Sequence, residues 1–298
     1  MAVGLAERDM AEAIAAQEWL EPVDQALGKV VSSAFEAAGP AGPRIKNFLH
    51  GTWLGHPLHV ALTDAPIGAW TTALVLDMVE SLGGNEEVGP GADAAVAFGV
   101  VGALGAALAG FTDWSATYGR GRKVGLLHGL LNVGVTGIYG ASLLCRRQGA
   151  RGAGRALGLA GFALANYTAW LGGDLVYRER IGVDHSQTIE HSPPEDFVPA
   201  LPASELPEGE LRKGDAEGQP VMLVRLGGWT YALSDTCAHL GCSLSNGKLE
   251  GDSVRCNCHG SRFALEDGRV LDGPATMPQP AFETRVRNGQ IEVRAAQQ

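Results

Sequence analysis

The chain has 298 residues, a formal net charge of −10 and 45% apolar residues. That length suits about two domains, and the acidic balance excludes a protein built chiefly to bind nucleic acid. A mean hydropathy of +0.03 averages two unlike halves, one apolar and rich in Gly and Ala, the other broken by turns.

In chain order, residues 10–37 read as an amphipathic helix. Its apolar members are Ile14, Trp19, Leu20, Val23, Leu27 and Val30–Val31. It is expected either to lie on a membrane surface or to cover the domain that follows, and the Gly39–Pro43 stretch ends it. Glu7, Asp9 and Glu12 stand where a signal peptide would carry an apolar core, so the N-terminus does not read as one.

Four apolar stretches come next: Val60–Val79, Ala94–Phe111, Val124–Cys145 and Ala156–Leu171. About 17 to 20 mainly apolar residues suffice to cross a bilayer as a helix. The fourth stretch is short, and Gly172-Gly173 can extend it. Small residues such as Gly99, Gly102, Gly105 and Gly110 allow close packing of membrane helices. The alternative is a soluble bundle with an apolar core; the second stretch, without a charge from Ala94 to Phe111, argues against it.

Four crossings put both termini on one side. That side holds Arg44, Lys46, Arg120, Arg122, Lys123, Arg178 and Arg180, against Arg146, Arg147, Arg151 and Arg155 opposite. Seven against four predicts cytoplasmic termini in a multi-pass protein of a bacterial cell membrane.

Polar residues gather at one boundary of these crossings. His56, His59 and Asp64 surround the start of the first, Asp113 ends the second, and His128, with Asn132 one turn deeper, starts the third. Gly172-Gly173-Asp174 and Tyr177 end the fourth. Three readings follow: His59 and His128 as axial ligands of a haem b, a quinone pocket in which His and Asp handle protons, or helix ends that face headgroup water. Asp77, near the far end of the first crossing, is expected to be interfacial, and Cys145 to be inert.

On the GHPLH segment at His56 and His59, the Asp64–Pro66–Gly68 stretch, Asp77 and the Gly172–Tyr177 ending, residues 46–184 resemble the uncharacterised membrane family known as domain-of-unknown-function family 2231. The resemblance implies a membrane helical fold and no chemistry. The linker that follows carries His185, His191, Pro193 and Pro194. It reads as semi-flexible, with solvated histidines.

The last hundred residues are all-β in pattern. Predicted strands are Gln219–Leu226, Trp229–Ser234, Ser253–Cys256, Arg269–Leu271, Phe282–Val286 and Gln290–Val293, with tight turns at Gly227-Gly228 and Asn288-Gly289. Such a run of short strands predicts a small barrel or sandwich. From Ser186 onward there are ten Lys/Arg against sixteen Asp/Glu, a net of −6. That surface suits a basic redox partner.

Within it stand Cys237-x-His239 and, after sixteen intervening residues, Cys256-x-x-His259. Each loop offers one thiolate and one imidazole. Two thiolates on one iron and two imidazoles on the other would close around a 2Fe–2S cluster. Structural zinc also takes two Cys and two His, but zinc motifs usually pair Cys with Cys, whereas each loop here mixes the two.

With CAHLGC and CNCHGS as its loops, the segment resembles a Rieske iron–sulfur domain, closest to the quinol-oxidising respiratory type. The resemblance implies Cys237 and Cys256 on one iron, His239 and His259 on the other, and a disulfide between Cys242 and Cys258. The alternative for that last pair is two buried free thiols. It also implies that the Ser261 hydroxyl donates to a cluster sulfur and that Gly273-Pro274 covers the cluster. Phe263 stands where respiratory members carry a tyrosine, and Asn257 where they carry a proline. The expected potential therefore lies below the respiratory type and above all-thiolate ferredoxins.

The expected organisation is an amphipathic helix and linker at 1–45, a four-helix transmembrane bundle at 46–184, a linker at 185–203 and a small all-β Rieske domain at 204–298. The expected function is single-electron transfer between a membrane donor, quinol or haem, and a redox partner, with the lipid bilayer as surroundings. A small quinol- or haem-linked oxidoreductase and a redox sensor are the alternatives. Nucleic acid is not an expected partner, and an oligomer is compatible with the sequence.

Overall fold

The structure, a computed structural model, describes residues 12–83, 86–186 and 193–296. Glu7, Asp9 and His191, singled out above, lie outside the described residues. The chain divides into two compact units: a helical unit of residues 1–42 and 57–179, and a β unit of residues 43–56 and 180–298.

The helical unit holds α1 (Leu20–Ala37), α3 (Leu58–Ser81), α4 (Gly89–Trp114), α5 (Gly119–Arg147) and α6 (Arg151–Tyr177); α2 (Gly42–His50) falls almost wholly in the β unit. The four long helices contain the four apolar stretches. They pack in a ring in which α3 touches α4 and α6, and α5 touches α4 and α6. Glycines make the close approaches: a Cβ on Gly99 would lie 2.2 Å from the Trp70 indole nitrogen, and one on Gly161 2.9 Å from the Tyr139 ring. Trp70 and Tyr139 stack at 3.9 Å between ring centroids inside the ring of helices.

Helix α6 runs through Gly172-Gly173 to Tyr177, so the short fourth stretch is extended as expected. The N-terminal amphipathic helix is shorter than the apolar pattern suggests. Residues 16–19 form a turn, and α1 starts at Leu20. It covers one end of the bundle. Leu20 is fully buried in a cluster with Trp114, Val124, Leu126 and Leu171, and Asp24 pairs with Arg122 at 2.7 Å. Arg122 also donates to the carbonyls of Trp114, Ser115 and Thr117, which satisfies the open C-terminal end of α4.

The outer faces of the four long helices are apolar. Val101 is 68% exposed and Leu108 66%, joined by Val60, Ile67, Val75, Val133, Leu144 and Leu159. Among the described residues, α4 and α5 are long and apolar enough to cross a membrane by length and composition. The corresponding windows of α3 and α6 do not reach that criterion, so the bundle of four is observed while two crossings, rather than four, meet it.

At the end of the bundle away from α1, all four helices meet through charge. Arg146 on α5 is fully buried and grips Asp77 on α3 with both terminal nitrogens. Asp93 on α4 joins Arg146 at 3.2 Å and Arg151 at 3.0 Å, and Glu80 on α3 joins Arg151 at 3.1 Å and Arg155 at 2.5 Å. Asp77, expected to be interfacial, is 6% exposed and is neutralised by a buried guanidinium.

In the β unit the strands are β1 (Val198–Pro202), β2 (Leu211–Ala216), β3 (Gln219–Leu226), β4 (Trp229–Ser234), β5 (Lys248–Glu250), β6 (Ser253–Arg255), β7 (Arg262–Ala264), β8 (Val270–Asp272), β9 (Ala281–Arg287) and β10 (Gln290–Ala295). They form a six-stranded sheet in the order β1-β10-β9-β4-β3-β2 and a four-stranded sheet in the order β5-β6-β7-β8, all antiparallel. Strand β3 explains its own unbroken apolar run. Val221 and Leu223 face a core with Leu201, Phe282 and Ile291, while Met222 and Val224 face a second core with Leu244, Val254 and Phe263. The turns at Gly227-Gly228 and Asn288-Gly289 have positive φ at both residues, as two-residue hairpins require.

Candidate metal centre

The second core contains the two cysteines of the motif. Cys237 is 1% exposed and Cys256 2%. Cys237 opens the loop after β4, and Cys256 opens the loop after β6. The two loops share one backbone design. Cys237 N–H donates to the Cys242 carbonyl (2.8 Å), and Gly241 N–H to the Cys237 carbonyl (2.9 Å); Cys256 N–H donates to the Ser261 carbonyl (2.8 Å), and Gly260 N–H to the Cys256 carbonyl (3.0 Å). Each loop closes on a glycine of positive φ, Gly241 at 77° and Gly260 at 84°. A side chain there would be strained, which is why both motifs end in Gly followed by a small residue.

The thiols of Cys237 and Cys256 hydrogen-bond to each other; this bond and burial push the Cys237 thiol far up, while the same bond outweighs burial at Cys256 and holds it down to about 6. The rings of His239 and His259 lie 4.9 Å apart between centroids, nearly perpendicular, and both are half-buried. Burial holds His259 below the ordinary imidazole range and so favours the neutral, ligating form. Two adjacent thiols on the buried side and two adjacent imidazoles toward the surface make a donor set that fits a 2Fe–2S cluster.

Cys242 and Cys258 form a disulfide across the loop tips. The sulfurs of Cys242, Cys256 and Cys258 lie within 4.8 Å of one another, but two of the three are bound to each other, so that trio is no metal-binding set. Ser261 is fully buried, and its Oγ accepts from Ala275 N–H at 3.0 Å. Phe263, where a hydroxyl-bearing ring was noted as missing, is a fully buried member of the core.

Several residues that position these loops carry no motif signature. Asp235, 2% exposed, accepts from Ser243 Oγ and Ser245 N–H (both 2.7 Å) and so organises the first loop. Gln279, 1% exposed, donates to the carbonyls of Ser234 and Thr236 and accepts from Ala238 N–H. His185 is not the solvated linker residue expected: its amide donates to the Ala238 carbonyl, and its ring lies beside Gly241. Asn47, on α2, bonds to Leu271, Asp272 and Gly273. A buried Gln or a loop Asn has no spacing rule that would reveal it.

The residues of the polar belt are only partly brought together. His59 Nδ1 and Asp113 Oδ2 are 2.6 Å apart. His128 Nδ1 donates to the Thr168 carbonyl at 2.9 Å, and its Nε2 accepts from Asn132 at 3.2 Å, so neither ring nitrogen is open to an iron. Asp64 is exposed, and His56 is an exposed residue of the β unit.

Comparison with known proteins bears on each unit. Residues 196–283 match the Rieske [2Fe-2S] domain, and residues 55–185 match a family described as predicted membrane protein (DUF2231). Ferredoxin CarAc of Metapseudomonas resinovorans is 37% identical over 92 residues, which are 30% of this chain and 86% of that protein. The 3-phenylpropionate/cinnamic acid dioxygenase ferredoxin subunit of Escherichia coli K12 is 39% identical over 94 residues, 31% of this chain and 87% of that one. The solved ferredoxin of carbazole 1,9a-dioxygenase from Nocardioides aromaticivorans IC177 aligns with 27% identity and a TM-score of 0.32, over 34% of this chain and all of that one. The helical match and the two long apolar helices mark a membrane-associated protein. Through the relatives that its β unit spans almost end to end, the chain belongs to the Rieske [2Fe-2S] family.

Proposed function

We propose that this protein is a membrane-anchored electron carrier that holds a 2Fe–2S cluster through Cys237, Cys256, His239 and His259. The observation that carries this reading is the pairing of thiol with thiol and imidazole with imidazole on two disulfide-joined loops. A cluster held there supplies a one-electron couple. The protein's own residues do the rest. The buried thiols seat one side, the half-exposed imidazoles present the other to a partner, and Ser261 offers a hydroxyl at the second loop. The relatives are ferredoxins, one of them a dioxygenase ferredoxin subunit, which favours a carrier over a free-standing oxidoreductase. The loop disulfide is the feature that favours the respiratory subtype.

In this reading all four long helices cross the bilayer. The apolar outer faces of α3 and α6, as well as those of α4 and α5, support it, because water would not tolerate so large an apolar surface. The termini and the β unit then lie in the cytoplasm by the seven-to-four Lys/Arg count, although a disulfide is unusual in that compartment. The electron donor is quinol or a membrane protein. For quinol, the His59–Asp113 pair is the proton-handling group; the engaged His128 argues against haem.

The test is paramagnetic-resonance and optical spectroscopy of detergent-purified protein. A reduced-state signal typical of mixed thiolate–imidazole ligation, with two irons and two acid-labile sulfides per chain, is expected. Bound zinc without labile sulfide would end this reading. A C-terminal fluorescent-protein fusion that matures tests the orientation, since maturation requires the cytoplasm.

A further inference from the structure

Neither the Rieske match nor the curated ferredoxins reach the segment ahead of the first long helix, yet Pro43–His56 is built into the β unit. Asn47 on α2 accepts from Gly273 N–H at 2.9 Å and donates to Asp272 Oδ1 at 3.0 Å. His50, fully buried, closes over the same glycine: a Cβ on Gly273 would lie 3.0 Å from the His50 ring and 3.2 Å from the Thr52 methyl. Two residues beyond Gly273, the Ala275 amide donates to the buried Ser261 hydroxyl. A continuous path of bonds thus runs from a helix outside the recognisable domain to the hydroxyl at the second cysteine–histidine loop.

We propose that Asn47 is a positioning residue for the redox centre: by fixing Gly273 it sets the Ala275 amide, and through that amide the direction in which Ser261 points its proton. The proposal rests on the cluster reading above. Ser261 Oγ accepts one bond from Ala275, which leaves its own O–H to donate elsewhere, in this proposal to the cluster. With Gly273 released, the amide drifts, the hydroxyl rotates, and its donation to the cluster weakens. A weaker donor disfavours the reduced, more negative state, so the potential falls. A second branch reinforces the first: Asp272 Oδ2 accepts from Arg262 (2.8 Å) and Arg255 (3.2 Å), and Arg255 donates to the Gly260 carbonyl beside His259.

The experiment is a redox titration followed by paramagnetic resonance on the full-length protein at fixed pH, for the unmodified chain, Asn47→Ala, Asn47→Gln, Ser261→Ala and the double variant Asn47→Ala/Ser261→Ala. Asn47→Ala should keep its iron and its circular-dichroism spectrum while its potential shifts downward, by less than Ser261→Ala. The double variant should be no lower than Ser261→Ala alone, because two residues on one path are not additive. Asn47→Gln keeps both the acceptor for Gly273 and the donor for Asp272 and should stay nearer the unmodified chain than Asn47→Ala. An unshifted Asn47→Ala, full additivity in the double variant, or Asn47→Gln falling as far as Asn47→Ala would each overturn the proposal. So would loss of the β fold in both Asn47 variants, which would make Asn47 a folding residue only. Absence of the signal from the unmodified chain would instead overturn the cluster reading itself.

Discussion

Both units bury polar side chains, and they do so in opposite ways. In the β unit, Asp235, Gln279 and Ser261 direct their hydrogen bonds chiefly at backbone amides and carbonyls in and beside the loops that carry Cys237, His239, Cys256 and His259. In the helical unit, Asp77, Glu80, Asp93, Arg146, Arg151 and Arg155 face one another and cancel. Buried groups that bond to backbone hold loops in place for some other purpose. Buried groups that neutralise each other need serve only the packing of helices.

The comparison can be broken most directly at the loops. Cys256→Ser or His259→Ala should abolish the cluster spectrum altogether while the helical content stays unchanged, since both side chains belong to the β unit. Iron and labile-sulfide assays with far-ultraviolet circular dichroism check this. A variant that kept two irons per chain would show that the loop architecture is not organised for ligation.

In the bundle the corresponding change is Arg146→Met. It leaves Asp77 buried with only Arg155, 3.9 Å away, to offset its charge. A loss of about 3 kcal/mol is expected for breaking a buried pair. The double variant Asp77→Leu/Arg146→Met should recover much of it, because no uncompensated charge then remains. Thermal unfolding in detergent reads both, and the cluster spectrum of either variant should be unaltered. A double variant as damaged as the single would mean that the pair does more than cancel.

Between these lies the disulfide. Cys242→Ser should destabilise the β unit by about 3 kcal/mol, the amount expected for a bridge spanning about 15 residues, and shorten the lifetime of the cluster in air. Bleaching of the visible absorption follows it. Equal lifetimes in the presence and absence of the bridge would reduce Cys242 and Cys258 to bystanders.

How much of this was legible in the sequence follows from the same contrast. The loops were readable because chemistry fixes residue type and spacing together: Cys-x-His and Cys-x-x-His leave little freedom. Their bridge came from the family resemblance, and the structure has it. Strands β3 and β4 and the two hairpin turns were readable to the residue, because an apolar run between glycines with positive φ has few alternatives. Strands β1, β2, β5 and β7 were not. Three of them are polar or very short, and in β2 alternate residues face solvent. The four helices were found and their ends were not, since capping and ion pairs carry α4 to Trp114 and α5 to Arg147, past the apolar stretch. The ion pair of Asp77 was not legible because its partner Arg146 lies 69 residues away, and hydropathy weighs each residue alone. Asn47 and His185 escaped for a related reason: tertiary contact, rather than local pattern, gives each its place.

The smallest expected effect concerns how acid reaches the two units. Asp272 is partly buried, which by itself would raise its pKa, but the Asn47 amide and the Arg262 and Arg255 guanidiniums outweigh burial and hold it below the ordinary 3.8. A carboxylate held down in the folded state adds stability above its unfolded value and loses it as pH falls through the lower folded value. The contribution is therefore intact at neutral pH and disappears below about pH 4. Asn47→Ala removes one donor, brings the folded value up toward 3.8, and should let the Gly273 amide exchange with solvent at a higher pH than in the unmodified chain. Hydrogen exchange of the 265–280 segment, scanned from pH 5 to pH 3 and corrected for intrinsic rates, reads the difference. Asp272→Asn removes the titrating group and should flatten the dependence. Exchange in the helical unit serves as the reference: Asn47→Ala should leave its pH dependence as it is in the unmodified chain, because Asn47 belongs to the β unit. A shift there equal to the one at Gly273, or no shift at Gly273 itself, would break the link between Asn47 and Asp272.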